Sequence, residues 1–508
     1  MKAVEAEAEE AEAAEAAACG AVPVRTCDAA VQTCRREAAV QTEPPPTEDC
    51  CVTSRRVPVM VMPTPFGTDD AQALGGSSGS GGGGGGEGNG SSHPTATVHA
   101  RTVFGVLRAL ETFAQLTLDG GLIHAVRISD WPEYRWRGVM VDTGRRFWPV
   151  ATLHWLMDGM QANKLNLVHL HLSDFCRFAI ESKAFPHLTT NLTGLHAGFY
   201  TQEEVRGIVQ YALERGIRVV PELDLPGHAR GLLSLEQDGL EFCEPSSSTR
   251  SQLFDDSENK SFTVLATLLH ELAELFPDSV LNVGSDETRV KGRCTLANTR
   301  GLEAKVLSYI EGTLGKQPMA WVNALTTTHA ATPSTILDTW ATVYGMPEAV
   351  TAAGFQCVAS TYMYLNHVDG PVGGISNWWR DIAPGVSEVN KHLMLGGETS
   401  MWSDSYCWTH QCGSSTGPTP VAAQMYGPHM DREFAASIAG VMFPRTAVGA
   451  GSFWNFQPGL DAKSSAFSAV VRAQNERMAA RGLDSCPEGC ACETLTRCGK
   501  PYIRNPMD

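Results

Sequence analysis

From about Tyr134 onward, short β-branched runs ending in polar or aromatic residues alternate with stretches of helical spacing. The first runs are Gly138–Val141 ending at Asp142, Leu167–Leu172 ending at Asp174, Arg218–Val220 ending at Glu222 and Asp224, and Val280–Val283 ending at Asp286-Glu287. Four more follow: Met319–Val322 around Trp321, Ile336–Thr339 ending at Trp340, Cys357–Thr361 leading to Tyr364, and Leu393–Leu395 leading to Glu398 and Trp402. Pro149–Ala162, Gln202–Glu214 and Phe262–Leu275 read as helices between them. Eight strand-like runs over about 270 residues predict an α/β fold, a (β/α)8 TIM barrel rather than a doubly wound sheet. No glycine-rich dinucleotide fingerprint follows any run, which also weakens the doubly wound option.

Ahead of the barrel the pattern is less regular. Residues 1–55 are low-complexity, with Ala/Glu repeats, scattered Cys and then Glu43-Pro44-Pro45-Pro46, and are expected to be disordered. Residues 56–133 carry an alternating strand at Val57–Met62, a Gly/Ser linker at 75–92, a helix at Thr102–Leu116 and a strand at His124–Ser129. That is material for a small α+β domain preceding the barrel. The barrel is placed at 134–465, and a C-terminal helix with a Cys-rich tail at 466–508.

Composition narrows the partners. The 508 residues are 43% hydrophobic and 19% charged, enough apolar content for a sizeable core. The formal charge of −17 comes without a Lys/Arg-rich stripe, which argues against nucleic acid and anionic lipid as partners. Part of that acidity is the Glu5–Glu15 run, which says little about any active site. No apolar stretch reaches 18 residues, so no membrane span is expected. Fifteen cysteines and sequons at Asn89, Asn191 and Asn259 lean toward an oxidising compartment. The first twenty residues are acidic rather than basic-then-apolar, so no signal peptide opens the chain, and an incomplete or misjoined N-terminus is expected.

The strand ends carry the chemistry. Polar groups at the C-terminal ends of barrel strands converge on one face. Here they are carboxylates, an Arg, a His and several Trp and Tyr, a combination suited to sugars: carboxyls transfer protons and aromatic faces cover C–H faces of a ring. Asp286-Glu287 is the strongest local signal, because two adjacent acids in different surroundings can hold different protonation states. A bare Asp-Glu pair is more often an exposed turn or helix cap, but its setting after a buried strand reverses that. In Val219-Val220-Pro221-Glu222-Leu223-Asp224-Leu225-Pro226-Gly227-His228, two prolines and a glycine aim His228 somewhere definite. Alone, His228 is more often a structural hydrogen-bonding histidine than a catalytic one. Arg145 has two readings, a fork of donors for vicinal hydroxyls or a surface salt bridge.

Together these motifs resemble glycoside hydrolase family 20, the β-N-acetylhexosaminidases, from about Val57 to Trp454. The family's Arg-Gly-x-x-x-Asp-x-x-Arg is matched by Arg137 to Arg145, and its His-x-His-x-x-Asp by His169 to Asp174. Its Pro-Glu-x-Asp-x-Pro-Gly-His stands at Pro221 to His228, its Gly-Gly-Asp-Glu appears as Gly284 to Glu287, and its Gly-Gly-Glu-x-x-x-Trp as Gly396 to Trp402. The resemblance implies an exo-acting enzyme that removes terminal β-linked N-acetylglucosamine or N-acetylgalactosamine without metal or other cofactor. It implies a retaining, substrate-assisted mechanism in which the 2-acetamido carbonyl is the nucleophile. Glu287 is then the acid/base, Asp286 orients the acetamido group, and Tyr364 hydrogen-bonds its carbonyl. Asp174 and His228 support Glu287. Trp321, Trp340 and Trp402 wall the sugar, and Arg145, Asp404 and Asn366 meet ring hydroxyls. A Cys243–Cys294 disulfide, a homodimer, and a secretory, lysosomal, vacuolar or extracellular setting follow from the same resemblance. Cys407 and Cys412 are close enough in sequence to bridge a loop, and the tail cysteines Cys486, Cys490, Cys492 and Cys498 can pair in three ways.

The chain also departs from the pattern. Asn282 replaces a histidine, Ser285 the second glycine, Phe175 a second Asp, Asn366 an Asp, Asp404 a Glu, and Gly451-Ser452 a Glu-Arg pair. Two other readings stay open: a degenerate barrel that binds such sugars without cleaving them, and a barrel glycosidase with a nucleophilic carboxylate.

Overall fold

The computed structural model of the chain describes residues 59–63, 72–77, 95–116, 123, 125–190, 198–244, 251–366, 375–403 and 442–483. The chain divides into two compact units, residues 1–133 with 457–477, and residues 134–456 with 478–508. In the first, the strands β1 (Val59–Pro63), β2 (Gln72–Ser77), β3 (Thr95–Ala100) and β4 (Arg127–Asp130) form a sheet in the order β1-β3-β2-β4. β1 runs parallel to β3, and β2 antiparallel to β3 and β4. Helix α1 (Val103–Gln115) begins where the Thr102 side chain accepts the Gly105 N–H at 3.0 Å. Its apolar stripe sets Ala109 with Val98 and Ile128 in a small core. Two expectations change here. Gly75–Ser77, expected to open the linker, instead belong to β2 and pair with β3, and Gly75 pairs with β4 as well. A backbone ladder needs no side chain, so glycines join a strand their propensity argues against. β3 was not anticipated either.

The second unit is a closed barrel of eight parallel strands, as the alternation predicts. They are β5 (Trp136–Asp142), β6 (Leu167–His171), β7 (Arg218–Leu225), β8 (Val280–Gly284), β9 (Gln317–Trp321), β10 (Ile336–Thr339), β11 (Cys357–Ala359) and β12 (Met394–Met401). β12 closes onto β5. Helices α2 (Val150–Ala162), α3 (Gln202–Glu214), α4 (Lys260–Leu275) and α5 (Leu296–Gly312) connect the earlier strands. α3 starts in a capping box between Thr201 and Glu204, which is why its sequence limits are sharp.

The pleat of the strands stacks the interior in layers. Side chains two residues apart share a face. Trp136, Leu167, Val220, Val280, Met319, Ile336, Val358 and Leu395, one from each strand, make an apolar floor. Two residues on, the same strands place Gly138, His169, Glu222, Asn282, Trp321, Asp338 and Ser360, and three residues after Leu395 comes Glu398. The extra residue in β12 is absorbed by a register shift opposite Cys357/Val358 and by Gly396 at φ +145°. Gly138 is required by packing, since a Cβ there would fall 2.8 Å from that of Glu398. The middle layer is therefore polar and charged. The rim lies above it.

Candidate active site

The middle layer is a continuous chain of hydrogen bonds. His169 lies with Nδ1 2.9 Å from Glu398 Oε1 and Nε2 2.9 Å from Glu222 Oε2. The same Glu222 oxygen is 2.7 Å from His171 Nδ1, and its other oxygen accepts the Trp321 indole N–H at 2.9 Å. Trp136 donates to Glu398 Oε2 at 3.1 Å, and the Ser360 hydroxyl to Asp338 Oδ1 at 2.6 Å. Asn282 accepts the Gly284 N–H at 2.9 Å, with its Nδ2 3.1 Å from His169 Nε2. His169, Glu222, Glu398, Asp338 and Asn282 are all fully buried.

His171 carries the chain to the rim, its Nε2 3.0 Å from Asp174 Oδ2. Arg145 joins there, bonded to Asp142 at 2.9 Å and Asp174 at 2.8 Å, with its guanidinium 5.1 Å above the Trp402 ring. It is buried and salt-bridged inside the site rather than on the surface. His228 follows the β7 exit at φ +48°. Its Nδ1 is 3.3 Å from Asp174 Oδ1, and its Nε2 is 3.3 Å from Glu287 Oε2 and 3.8 Å from Asp286 Oδ2. One ring thus spans from the buried network to the acid pair.

The β8 exit is sharply folded, with Gly284, Ser285 and Glu287 at φ +69°, +74° and +46°. A side chain at Gly284 would place its Cβ 1.8 Å from Asp224 Oδ1, so only glycine fits. Ser285 adopts the left-handed region despite its Cβ, with a buried hydroxyl that has no hydrogen-bond partner. This geometry splits the two acids. The Asp286 side chain is 10% exposed and that of Glu287 44%. Beside them stands an aromatic group: Trp402 lies 5.7 Å from Trp321, edge-on to His171 at 4.9 Å and edge-on to Tyr364 at 6.4 Å. Tyr364 also hydrogen-bonds Trp402 and is tied to β12 by a bridge to Ser400. Trp340, past the end of β10, donates to Asn323 Oδ1 at 2.7 Å and rests on Tyr344. The Asn366 side-chain oxygen is buried without a partner. Asp404 lies outside the described residues, as do Cys407, Cys412 and the tail cysteines. Cys243 and Cys294 form a disulfide.

Charge follows from this packing. Burial would lower the imidazoles, but their carboxylate partners prevail: His169 is raised to about 10, by Glu398 and then Glu222, and His171 well above its usual value, chiefly by Glu222. Burial likewise works to raise Asp174, yet the Arg145 and His228 charges and the His171 bond hold it well below the carboxylate range. Glu222 is lowered in the same way by its two histidines. Asp224 and Asp338 go up, through burial and then the charges of Asp286 and Glu398 respectively. Burial also raises Asp286, with the carboxylates of Glu222 and Glu287 adding to it and His228 opposing. Glu287 is lowered, mainly by its hydrogen bond to His228. Packing thus moves the two neighbours in opposite directions, Asp286 upward through burial and Glu287 downward through His228.

Two triads, His171–Glu222–Asp224 and Asp174–Asp224–His228, have ligand-type atoms within 4.8 Å of one another. Both ring nitrogens of His171 face carboxylates, those of Asp174 and Glu222, while the two Asp224 oxygens are buried without a hydrogen-bond partner.

Residues 134–456 match the family described as glycosyl hydrolase family 20, catalytic domain. The chain belongs to glycosyl hydrolase family 20. Beta-hexosaminidase subunit beta of Mus musculus is 30% identical over 343 residues, 61% of this chain and 63% of that protein. Beta-hexosaminidase 1 of Arabidopsis thaliana is 30% identical over 337 residues, 61% of this chain and 60% of that protein. The chain thus spans less than two thirds of these relatives' length. Among solved structures, a Flavobacterium johnsoniae chitobiase superposes with a TM-score of 0.65 at 23% identity, covering 89% of this chain and 67% of its own. The Vibrio harveyi family 20 exo β-N-acetylglucosaminidase, in complex with N-acetylglucosamine, gives 0.64 at 21% identity over 84% and 69%. These neighbours share the fold.

The family 20 barrel brings together Asp174, His228, Asp286, Glu287, Arg145, Trp321, Trp402 and Tyr364. Sequence reasoning did not assign roles to His169, Glu222, Asp338 and Glu398, which build the layer beneath, or to Asp142 and Asp224 at the ends of β5 and β7. The signal was available: His169/His171 and Glu222/Asp224 are spaced two apart on strands, hence on one face.

Proposed function

We propose that the chain is an exo-acting β-N-acetylhexosaminidase that hydrolyses terminal β-linked N-acetylglucosamine or N-acetylgalactosamine with retention. The observation that carries this is the split acid pair: a buried Asp286 beside a half-exposed Glu287, joined through His228 to Asp174 and flanked by Trp321, Trp402 and Tyr364. The names of the relatives, β-hexosaminidases throughout, support the same substrate class.

In this reading the 2-acetamido group folds over the aromatic group toward Asp286 and Tyr364, and its carbonyl oxygen attacks the anomeric carbon. The C–O bond to the aglycone breaks as Glu287 gives its proton to the leaving oxygen. Tyr364, with its hydroxyl held protonated by burial and by the nearby Asp338 charge, donates to the acetamido carbonyl. Asp286 faces the amide N–H and the positive charge of the cyclic intermediate. Water then attacks the anomeric carbon with Glu287 as base, and the acetamido group is restored.

Glu287 must be protonated to begin, and its bond to His228 opposes that. A sugar over the mouth removes water from a carboxyl that is 44% exposed and so raises it. The Cys243–Cys294 disulfide supports an oxidising, secretory-pathway setting.

The test is turnover of chromogenic N-acetylglucosaminide and N-acetylgalactosaminide, with inhibition by a thiazoline mimic of the cyclic intermediate. Binding of these sugars without turnover would favour the degenerate-barrel reading, for which Ser285 at φ +74° is the observation to cite. A trapped covalent glycosyl-enzyme would favour a carboxylate nucleophile.

A further inference from the structure

His228 and Glu287, 3.3 Å apart through their side chains, both stand in left-handed backbone, at φ +48° and +46°. Such strain persists only where neighbouring structure imposes it. Here that structure is a short strap, residues 251–253. Ser251 O accepts the Ala229 N–H at 2.9 Å and Leu253 N donates to Pro226 O at 2.8 Å, so the strap grips the β7 exit on both sides of His228. Gln252, between them, reaches the β8 exit instead. Its Nε2 donates to Arg289 O and its Oε1 accepts the Arg289 N–H, both at 2.8 Å. The amide thus pairs with the backbone two residues past Glu287 as a neighbouring strand would. Gln252 is 2% exposed, so water does not compete for these bonds. The strap is anchored in turn. Cys243, disulfide-bonded to Cys294, donates its N–H to Gln252 O at 2.8 Å, and Lys291 Nζ donates to Ser251 Oγ at 3.0 Å. Closer in, the two exits touch directly: Ser285 N donates to Leu225 O at 2.8 Å, and a Cβ at Gly227 would fall 2.9 Å from Asp286 O.

We propose that Gln252 is a positioning residue for the acid: through the Arg289 backbone it locks the β8 exit to the strap that holds His228, and so fixes where the Glu287 carboxyl stands. The inference rests on the proposed hydrolase reading, in which Glu287 protonates the leaving oxygen. Gln252 touches neither Glu287 nor the sugar. Without its two bonds the exit is free to relax from its left-handed turn, and the half-exposed carboxyl moves with it. Proton transfer in the transition state depends steeply on that placement, because a supporting residue that slips by a fraction of an ångström displaces the reacting group.

The experiment compares two substrates on the full chain, methyl and 2,4-dinitrophenyl β-N-acetylglucosaminide. Methanol leaves the anomeric carbon only as a proton passes from Glu287 to its oxygen, whereas dinitrophenolate departs with the bonding electron pair and needs no proton. Gln252→Met fills the same buried space without either hydrogen bond, and Gln252→Asn keeps an amide but draws it back by one methylene. For Gln252→Met we expect kcat/KM on the methyl glycoside to fall roughly 10- to 100-fold, through kcat rather than KM, as for a misplaced catalytic group. On the dinitrophenyl glycoside it should stay within about threefold, since acid assistance counts least for the least basic leaving group. Gln252→Asn should show the same split at smaller size. Equal falls on both substrates, no fall on the methyl glycoside, or loss of the folded protein in both variants would overturn the positioning role and leave the hydrolase reading standing. No turnover of either substrate by the unmodified chain would overturn the hydrolase reading, and the positioning role with it.

Discussion

The middle layer of the barrel and its rim use the same side chains to opposite ends. In the middle layer, His169 lies between Glu222 and Glu398 and all three are fully buried, so charges meet in a dry, low-dielectric interior with partners on each side. At the rim, His228 lies between Asp174 and Glu287, but the Glu287 side chain is 44% exposed. The first arrangement has every proton committed. The second leaves one carboxyl free to exchange a proton with whatever enters. A carboxylate–histidine–carboxylate relay is therefore structural or chemical according to whether its last member is sealed, and the β8 exit decides that for Glu287.

The sharpest break of this comparison should come from Glu287→Gln. We expect turnover to fall by about 10²- to 10⁴-fold, the range of general acid–base catalysis, with the melting temperature unchanged because the side chain is half exposed. A matching loss of stability would mean that the rim is as structural as the layer below. Glu222→Gln should do the reverse. Removing the carboxylate shared by His169 and His171 leaves buried cations short of a partner, a loss of about 3 kcal/mol or more in urea unfolding. Unchanged stability would show that the middle layer does not hold the barrel.

A pH series sharpens the same contrast more gently. His169 is raised to about 10, above its unfolded value of about 6.5. Its contribution is full below about pH 6.5 and is lost as pH rises through about 10. Glu222 is lowered, so its contribution is present above about pH 4.3 and lost as pH falls through its depressed value. Stability should thus decline on the alkaline side, and His169→Gln should flatten part of that limb, the remainder belonging to His171 and His228. A level profile from pH 6.5 to 10 would contradict it. The smallest effect is expected of Ser285→Gly. Relief of φ +74° and of a buried, unpartnered hydroxyl should stabilise by about 1 kcal/mol, read as a shift in the denaturation midpoint.

Much of this was legible before any coordinates. All eight barrel strands fall where the alternation puts them, since a parallel barrel buries its strands and leaves continuous apolar runs. The N-terminal sheet was harder: β2 contains Gly75-Gly76-Ser77, where ladder pairing overrides propensity. β12 was read as Leu393–Leu395 yet runs to Met401, because Glu398 and Ser400 look like rim residues until β5 pairs with them.

The sequence by itself determined the strand count of the barrel and the order of the motifs along it, because those depend on local periodicity and residue chemistry. Only the tertiary structure decided which acid is sealed. Adjacent residues carry nearly the same local information, and their protonation depends on neighbours from distant strands: Glu222 and His228 beside Asp286, solvent and His228 beside Glu287. Closure of the barrel brings those strands together, and that is a long-range event no window of sequence contains.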